Sequence, residues 1–395
     1  MNVTDHWDIF SLMFYLTLAF IGACSFYAVK QRERKSGNLQ KLTSKEYLLW
    51  ALSWATAAAC RYVSSTTNVG GTDAYSYAIA FEQVFNPGSV AAERLKHYGI
   101  AWQWLCKILN FICDNYHFFF FVTYLIIIVA IIYFLNSLAL KYISATPIIA
   151  VFYLFLRGFN TLRTEFSIAM LLFGLVFLWK KKYIKCGIFC ALSVLFQTAS
   201  LLYICFIPFY VFFKKKGLTV KHGVILTVGG GVVGYLARYL LTSGIIKISY
   251  YSNYAAQSLT SSFFASYWKI VFSQMLLAVA ILIIRKRIFN SKRQLDDLDL
   301  DRFNFIWAMC IFDICTIPIT YFIHLWRGYE YFYVARVIMW GYMLTILRRK
   351  SSTQSKQLFT IMGAVVFTAW TVFCIWNNWS SSGLMPYVFA PFSSL

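Results

Sequence analysis

Six arginines, Arg61, Arg157, Arg163, Arg238, Arg327 and Arg336, sit beside or inside apolar runs of this chain. A guanidinium presents a planar fork of donors that fits phosphate oxygens, and it cannot lose its charge. Fixed cations with few carboxylates nearby suit an anionic lipid headgroup such as a pyrophosphate. One carboxylate does stand close in sequence. The segment from Arg61 to Phe81, RYVSSTTNVGGTDAYSYAIAF, turns at Gly70-Gly71 and then presents Asp73. Glycine permits the backbone angles of such a turn. Asp73 also stands where it can cap the helix that follows.

The other arginines have their own settings. Arg163 lies in the break RGFNTLRTE, framed by Asn160 and Glu165. Arg157, in the same break, has the position of a snorkelling side chain. Arg327 and Glu330 occupy the turn of HLWRGYEYFYVAR, and Arg336 falls about a turn and a half into the next apolar helix. Charge at that depth marks a functional site by default. Arg238 is a weaker member of the set, near the end of its own apolar run.

These residues must be positioned by membrane helices. Hydrophobic residues make up 60% of the 395 and charged residues 13%, against about 25% charged in soluble domains. The chain reads as an all-α polytopic membrane protein, a single transmembrane domain over 1–395. Twelve spans are expected, near 9–29, 46–63, 117–138, 146–160, 164–179, 183–196, 199–213, 222–241, 267–284, 303–323, 331–347 and 357–376. Short ones between 146 and 213 fit tilted or partly re-entrant hairpins.

The net charge of +21 reports topology and does not indicate a nucleic-acid partner. Twenty-five of the 36 Lys and Arg fall in short segments at 30–45, 141, 180–185, 214–221, 285–302 and 348–356. These alternate with the remaining loops, as the positive-inside rule requires. Both termini are therefore expected on the outer side, with the larger outer loops at 64–116 and 242–266. Acidic residues before the first span and basic residues after it reverse the pattern of a cleaved signal peptide.

Several other features carry less chemistry. Tyr98–Cys113 reads as an amphipathic helix in the headgroup plane, anchored by Trp102 and Trp104. Tyr75, Tyr77, Phe81 and Phe85 are expected against the same interface. Cys106 and Cys113 are the two cysteines placed for an outer disulfide. Asp297, Asp299 and Asp301 balance the basic residues before them and cap the next span. Asp313, mid-span, calls for a partner on another helix or for a proton. GGGVVG at 229–234 suits close helix packing. No phosphate-cradling loop and no zinc-type spacing is present, so neither a cofactor nor a metal is expected.

Taken in order, these motifs resemble the EpsG-like family of exopolysaccharide and O-antigen polymerases, itself similar to Wzy-type enzymes. The resemblance rests on Arg61, Gly71-Thr72-Asp73 and the following Tyr77 and Phe81, then Asn160 and Arg163, then LSVLFQTASLL at 192–202, then Arg336 and Pro386-Tyr387. The chain departs from the family at Gln197, where His is usual, which leaves hydrogen bonding and removes proton transfer there.

The resemblance implies transfer of an undecaprenyl-pyrophosphate-linked glycan onto a lipid-linked repeat unit at the outer face of the bacterial plasma membrane. A GT-C-like helix arrangement is expected with it. Asp73 would accept the acceptor hydroxyl proton. Arg163, Arg336, Arg327 and Arg61 would hold the pyrophosphate. Tyr77, Asn160, Glu165, Gln197, Arg238 and Glu330 would support the site or meet the sugar, and Tyr250, Tyr251 and Trp268 could stack on sugar rings. A chain-length regulator and a flippase of the same pathway are expected partners. A lipid-linked oligosaccharide flippase and a membrane acyltransferase are the alternative readings.

Overall fold

A computed structural model describes residues 9–64, 71, 73–139, 141, 143–214, 220–243, 245, 268–289, 297–325, 327–349, 353–382, 384 and 387–388. Among these residues every regular element is helical. Six helical segments are long and apolar enough to cross a membrane: Ile9–Ser36, Tyr116–Leu138, Thr146–Trp179, Lys221–Thr242, Leu300–Phe322 and Gln354–Trp376. Most of the remaining expected spans form shorter helices, such as Ser44–Ala59 and Tyr183–Phe196. The structure thus supports a helical membrane protein and does not reach the count of twelve. The chain divides into two compact units, residues 1–200 with 347–395, and residues 201–346.

In the first unit, α1 (Ile9–Ser36) and α2 (Ser44–Ala59) form a hairpin. Thr43 and Glu46 build a reciprocal cap on α2, which satisfies otherwise orphaned N–H groups. Glu46 also pairs with Arg32 of α1 at 2.5 Å. Deeper in the hairpin, the Trp54 indole donates to the Leu18 carbonyl at 2.7 Å. Helix α6 (Tyr116–Leu138) is clipped to the end of α2 where His117 Nδ1 donates to the Ala59 carbonyl.

Helix α7 (Phe152–Trp179) continues from a 3-10 turn at Thr146–Val151. The sequence places a break at Arg157–Glu165, RGFNTLRTE, between two short spans. The structure has a kink there instead, at Thr161 (φ −128°, ψ 35°). Thr161 Oγ1 donates to the Arg157 carbonyl at 2.9 Å, a bond of the kind that bends helices. Phe155 and Phe159 meet Tyr124 of α6, and Phe173 and Phe177 meet Tyr133.

Three short helices cover one end of this unit: α3 (Ala74–Glu82), α4 (Val90–Lys96) and α5 (Ile100–Ile112). They correct two expectations about aromatic anchors. Trp102 of α5 is buried against Tyr77, Phe119, Phe166 and Phe196, while Trp104 is exposed. Phe81 is likewise buried, stacked on Phe119 at 4.6 Å, whereas Phe85 is exposed. Cys106 and Cys113 are free thiols. The unit is completed by α8 (Tyr183–Phe196) and by α15 (Thr353–Ser382), whose Thr371 donates to the Ile149 carbonyl.

The second unit holds α9 (Leu201–Ile204), α10 (Phe206–Lys214), α11 (Val220–Thr242), α12 (Trp268–Phe289), α13 (Asp297–Phe322) and α14 (Tyr333–Arg349) up to Ile346. Gly230 and Gly234 of α11 lie directly on the backbone of α13 near Cys315, Pro318 and Ile319. This is the close small-residue packing expected of GGGVVG. The loop 242–266, with Tyr250 and Tyr251, lies almost wholly outside the described residues, as do Pro386 and the Trp268 side chain.

Candidate functional site

Asp73 reaches its position through Gly71. Gly71 has φ +117°, and any Cβ on it would collide with the carbonyl group of Phe159. The turn before α3 therefore sits directly on α7 at its kink. Asp73 occupies the N-cap position of α3, and its backbone carbonyl accepts from the Tyr77 amide at 3.1 Å. Its side chain makes no capping hydrogen bond.

Two residues past the kink, Arg163 lies over the Tyr98 ring at 4.5 Å. Arg163 is half-buried, and its buried Nε has no hydrogen-bond partner among the described residues. Tyr98 joins the two charges. Burial pushes its phenol above the usual value, Arg163 opposes that shift, and the Asp73 charge adds to it. Tyr77, one helical turn past Asp73 on the same face, closes the cluster through ring contacts with Tyr98 and Trp102. Two half-buried residues of opposite charge, Asp73 and Arg163, thus flank one tyrosine.

Further residues frame this cluster. Asn160 and Glu165 are buried on either side of the kink. Gln197 ends α8, where its backbone N–H donates to the Ser193 carbonyl. The α8 end is held near Tyr98 by Gly99, whose missing Cβ lets the start of α5 lie on the carbonyls of Leu195 and Phe196. Two glycines therefore seat the covering helices on the spans.

Arg61 is placed differently from the expectation of a phosphate ligand. It is 1% exposed, inside a cage of Phe159, Phe120 and Tyr124 at 3.9, 4.4 and 5.3 Å. Its Nη1 donates to the Tyr124 hydroxyl at 3.1 Å, while Nε and Nη2 have no hydrogen-bond partner among the described residues. The rings compensate part of the cost of burying the charge.

In the second unit Arg336 is fully buried, and its charge is met within the protein. Its Nε lies 2.9 Å from Asp313 Oδ2, and its Nη1 donates to Ser273 Oγ at 3.2 Å. Gln274 donates to the same carboxylate oxygen at 2.7 Å. Asp313 thus finds the interhelical partner that its depth calls for. Arg336 Nη2 is buried with no hydrogen-bond partner among the described residues. Arg327 precedes the 3-10 turn Gly328–Glu330 and is half-buried, while Glu330 is buried. Arg238 donates to the Phe322 carbonyl and to His324 Nε2, tying α11 to the end of α13.

Among the described residues no group of three His, Cys, Asp or Glu side chains comes together as a metal site would require. The residues that sequence reasoning passed over are Tyr98, Gly99 and Tyr124. Gly99 had a legible signal, a glycine placed directly before an amphipathic run.

The molecule is an all-helical membrane protein with a carboxylate–arginine cluster under a cap of short helices. A family model matches residues 60–389, and the chain belongs to the EpsG family. Membership suggests a polysaccharide-polymerase-like role. No curated protein and no solved structure matches the chain.

Proposed function

We propose that the protein is a glycosyltransferase that polymerises lipid-linked repeat units, with Asp73 and Arg163 at its centre. The reading is supported most by the Gly71 turn, which seats Asp73 on the same α7 kink that carries Arg163. In the proposed step, an acceptor sugar hydroxyl attacks the anomeric carbon of a glycan held on a polyprenyl pyrophosphate. Asp73 takes the hydroxyl proton. The new bond forms from the acceptor oxygen as the bond to the pyrophosphate oxygen breaks, and that oxygen leaves with the electron pair. Arg163 stabilises the developing negative charge, the kind of preorganised contact that contributes most to such reactions.

Tyr98 holds the Arg163 plane, and Tyr77 walls the other side. Energy comes from the pyrophosphate linkage. In the second unit, Arg327 is the half-accessible cation proposed to meet a lipid phosphate. The outer-face orientation, the plasma membrane and a GT-C-like arrangement belong to the same proposal.

The test is chain length in cells. Asp73→Asn and Arg163→Ala are expected to stay in the membrane and to yield single-repeat glycan in place of long chains. Wild-type chain lengths in both would sink the assignment. Loss of every repeat from the outer face on deletion would point to a flippase instead.

A further inference from the structure

Two arginines far apart in sequence end two helices. Arg34 lies in the last turn of α1, and Arg348 lies in the last turn of α14, which past Ile346 belongs to the first unit. A cation suits a helix C-terminus, which accounts for each arginine alone and not for their meeting. Helix α15 packs on α1, and residues 350–352 join it to α14, so the end of α14 is carried toward α1. Burial and then the Arg34 charge hold the Arg348 guanidinium below its ordinary range, and Tyr27 of α1 opposes them. The positive-inside pattern puts 30–45 and 348–356 on one side of the membrane as well. Like charges so placed repel.

The carboxylates nearest Arg34 in sequence are engaged elsewhere. Glu33 accepts from Lys30 at 2.8 Å and from the Gln40 backbone N–H at 3.3 Å. Glu46 accepts from Arg32 at 2.5 and 2.7 Å. Among the described residues neither Arg34 nor Arg348 has an ion-pair partner. Two fixed cations thus share one place, an arrangement suited to phosphate oxygens. The approach to them is apolar. Tyr27 is seven residues before Arg34 and Phe20 seven before Tyr27, so the three share one face of α1. Tyr27 is 52% exposed and Phe20 39%, on a helix apolar enough to cross a membrane. A soluble anion gains nothing from such a stripe, whereas a phospholipid lays its chains there.

We infer that Arg34 and Arg348 bind an anionic phospholipid of the surrounding bilayer, its phosphate between the two guanidinium groups and its chains along Tyr27 and Phe20. The ligand is a bilayer component and not a substrate, so the inference stands apart from the polymerase reading.

The experiment is native mass spectrometry of the full-length protein in detergent, titrated with phosphatidylglycerol, beside thermal midpoints with and without that lipid. Arg34→Gln and Arg348→Gln are each expected to weaken phosphatidylglycerol binding about tenfold, the equivalent of ~1.4 kcal/mol. Lys45→Gln, which removes another exposed cation beside the same helices, should leave it unchanged. Without lipid both arginine variants should melt no lower than wild type, because each relieves a repulsion. Equal binding of phosphatidylcholine, or equal loss in Lys45→Gln, overturns the site in favour of diffuse attraction. Displacement of the lipid by inorganic phosphate would make it a free-anion site and overturn the lipid. A lower lipid-free midpoint in the arginine variants would assign them a structural role instead.

Discussion

Gly71→Ala tests whether the turn before α3 positions Asp73. The added methyl would sit 2.9 Å from the Phe159 carbonyl carbon and closer still to its oxygen. Carbon pairs prefer about 3.5–4.0 Å, so the turn must retreat by roughly 0.6–1 Å. Helix α7 cannot yield easily, because Phe159 is itself buried between Arg61 and Tyr124. The φ of +117° adds backbone strain, of order 1–3 kcal/mol for a non-glycine residue. A displacement near 1 Å at a reacting group costs about a hundredfold in rate.

The expected outcome is therefore a polymerisation rate about a hundredfold lower, with protein still folded in the membrane. Gly88→Ala is the matched control. Gly88 has φ +92°, but a Cβ there meets nothing within 4 Å, so strain is present without the collision. Initial rates on a defined lipid-linked repeat, beside thermal midpoints in detergent, would separate the terms. Equal loss in both variants, or full activity in Gly71→Ala, would refute the positioning argument.

Other expectations follow from the same geometry. Tyr98→Phe should keep polymerisation within about threefold, since the ring under Arg163 remains, while Tyr98→Ala should lose about tenfold, the equivalent of ~1.4 kcal/mol, within the roughly 0.5–2 kcal/mol of a cation–π contact. Equal damage by both would assign the work to the hydroxyl. Gly99→Ala should lower the thermal midpoint by forcing α5 off the α8 carbonyls, a cost of about 1–3 kcal/mol for overpacking. Asp313→Ala strands the Arg336 charge in the second unit and should cost about 3–5 kcal/mol. Asp313→Ala with Arg336→Met should recover most of that, measured by denaturation in mixed micelles. A double variant no more stable than the single one would contradict the ion-pair account.

Part of this arrangement is legible in the sequence. Charge beside or inside apolar runs singles out Asp73, Arg163 and Arg336, and a mid-span carboxylate calls for a partner. What periodicity could not say is which partner, because Asp313 and Arg336 lie on different helices and meet only on packing. The anchors were misjudged for a related reason. Trp102 and Trp104 are both apolar, and an interfacial helix flanked by lipid and protein is hydrophobic on two faces. Residue type therefore does not tell which face is buried. Charge at 157–165 marks a break between two spans in the sequence. Thr161 instead bends a helix whose buried faces bind it along most of its length. Arg61 was ambiguous for want of its cage, which three residues distant in sequence assemble.

The most direct measurement feeds a single defined polyprenyl-pyrophosphate-linked repeat to purified protein and follows the products. The account predicts that wild type releases polyprenyl pyrophosphate while the repeat doubles and lengthens, and that Asp73→Asn does neither although it still binds the substrate. Elongation by Asp73→Asn at the wild-type rate, or intact substrate with wild type, would contradict it.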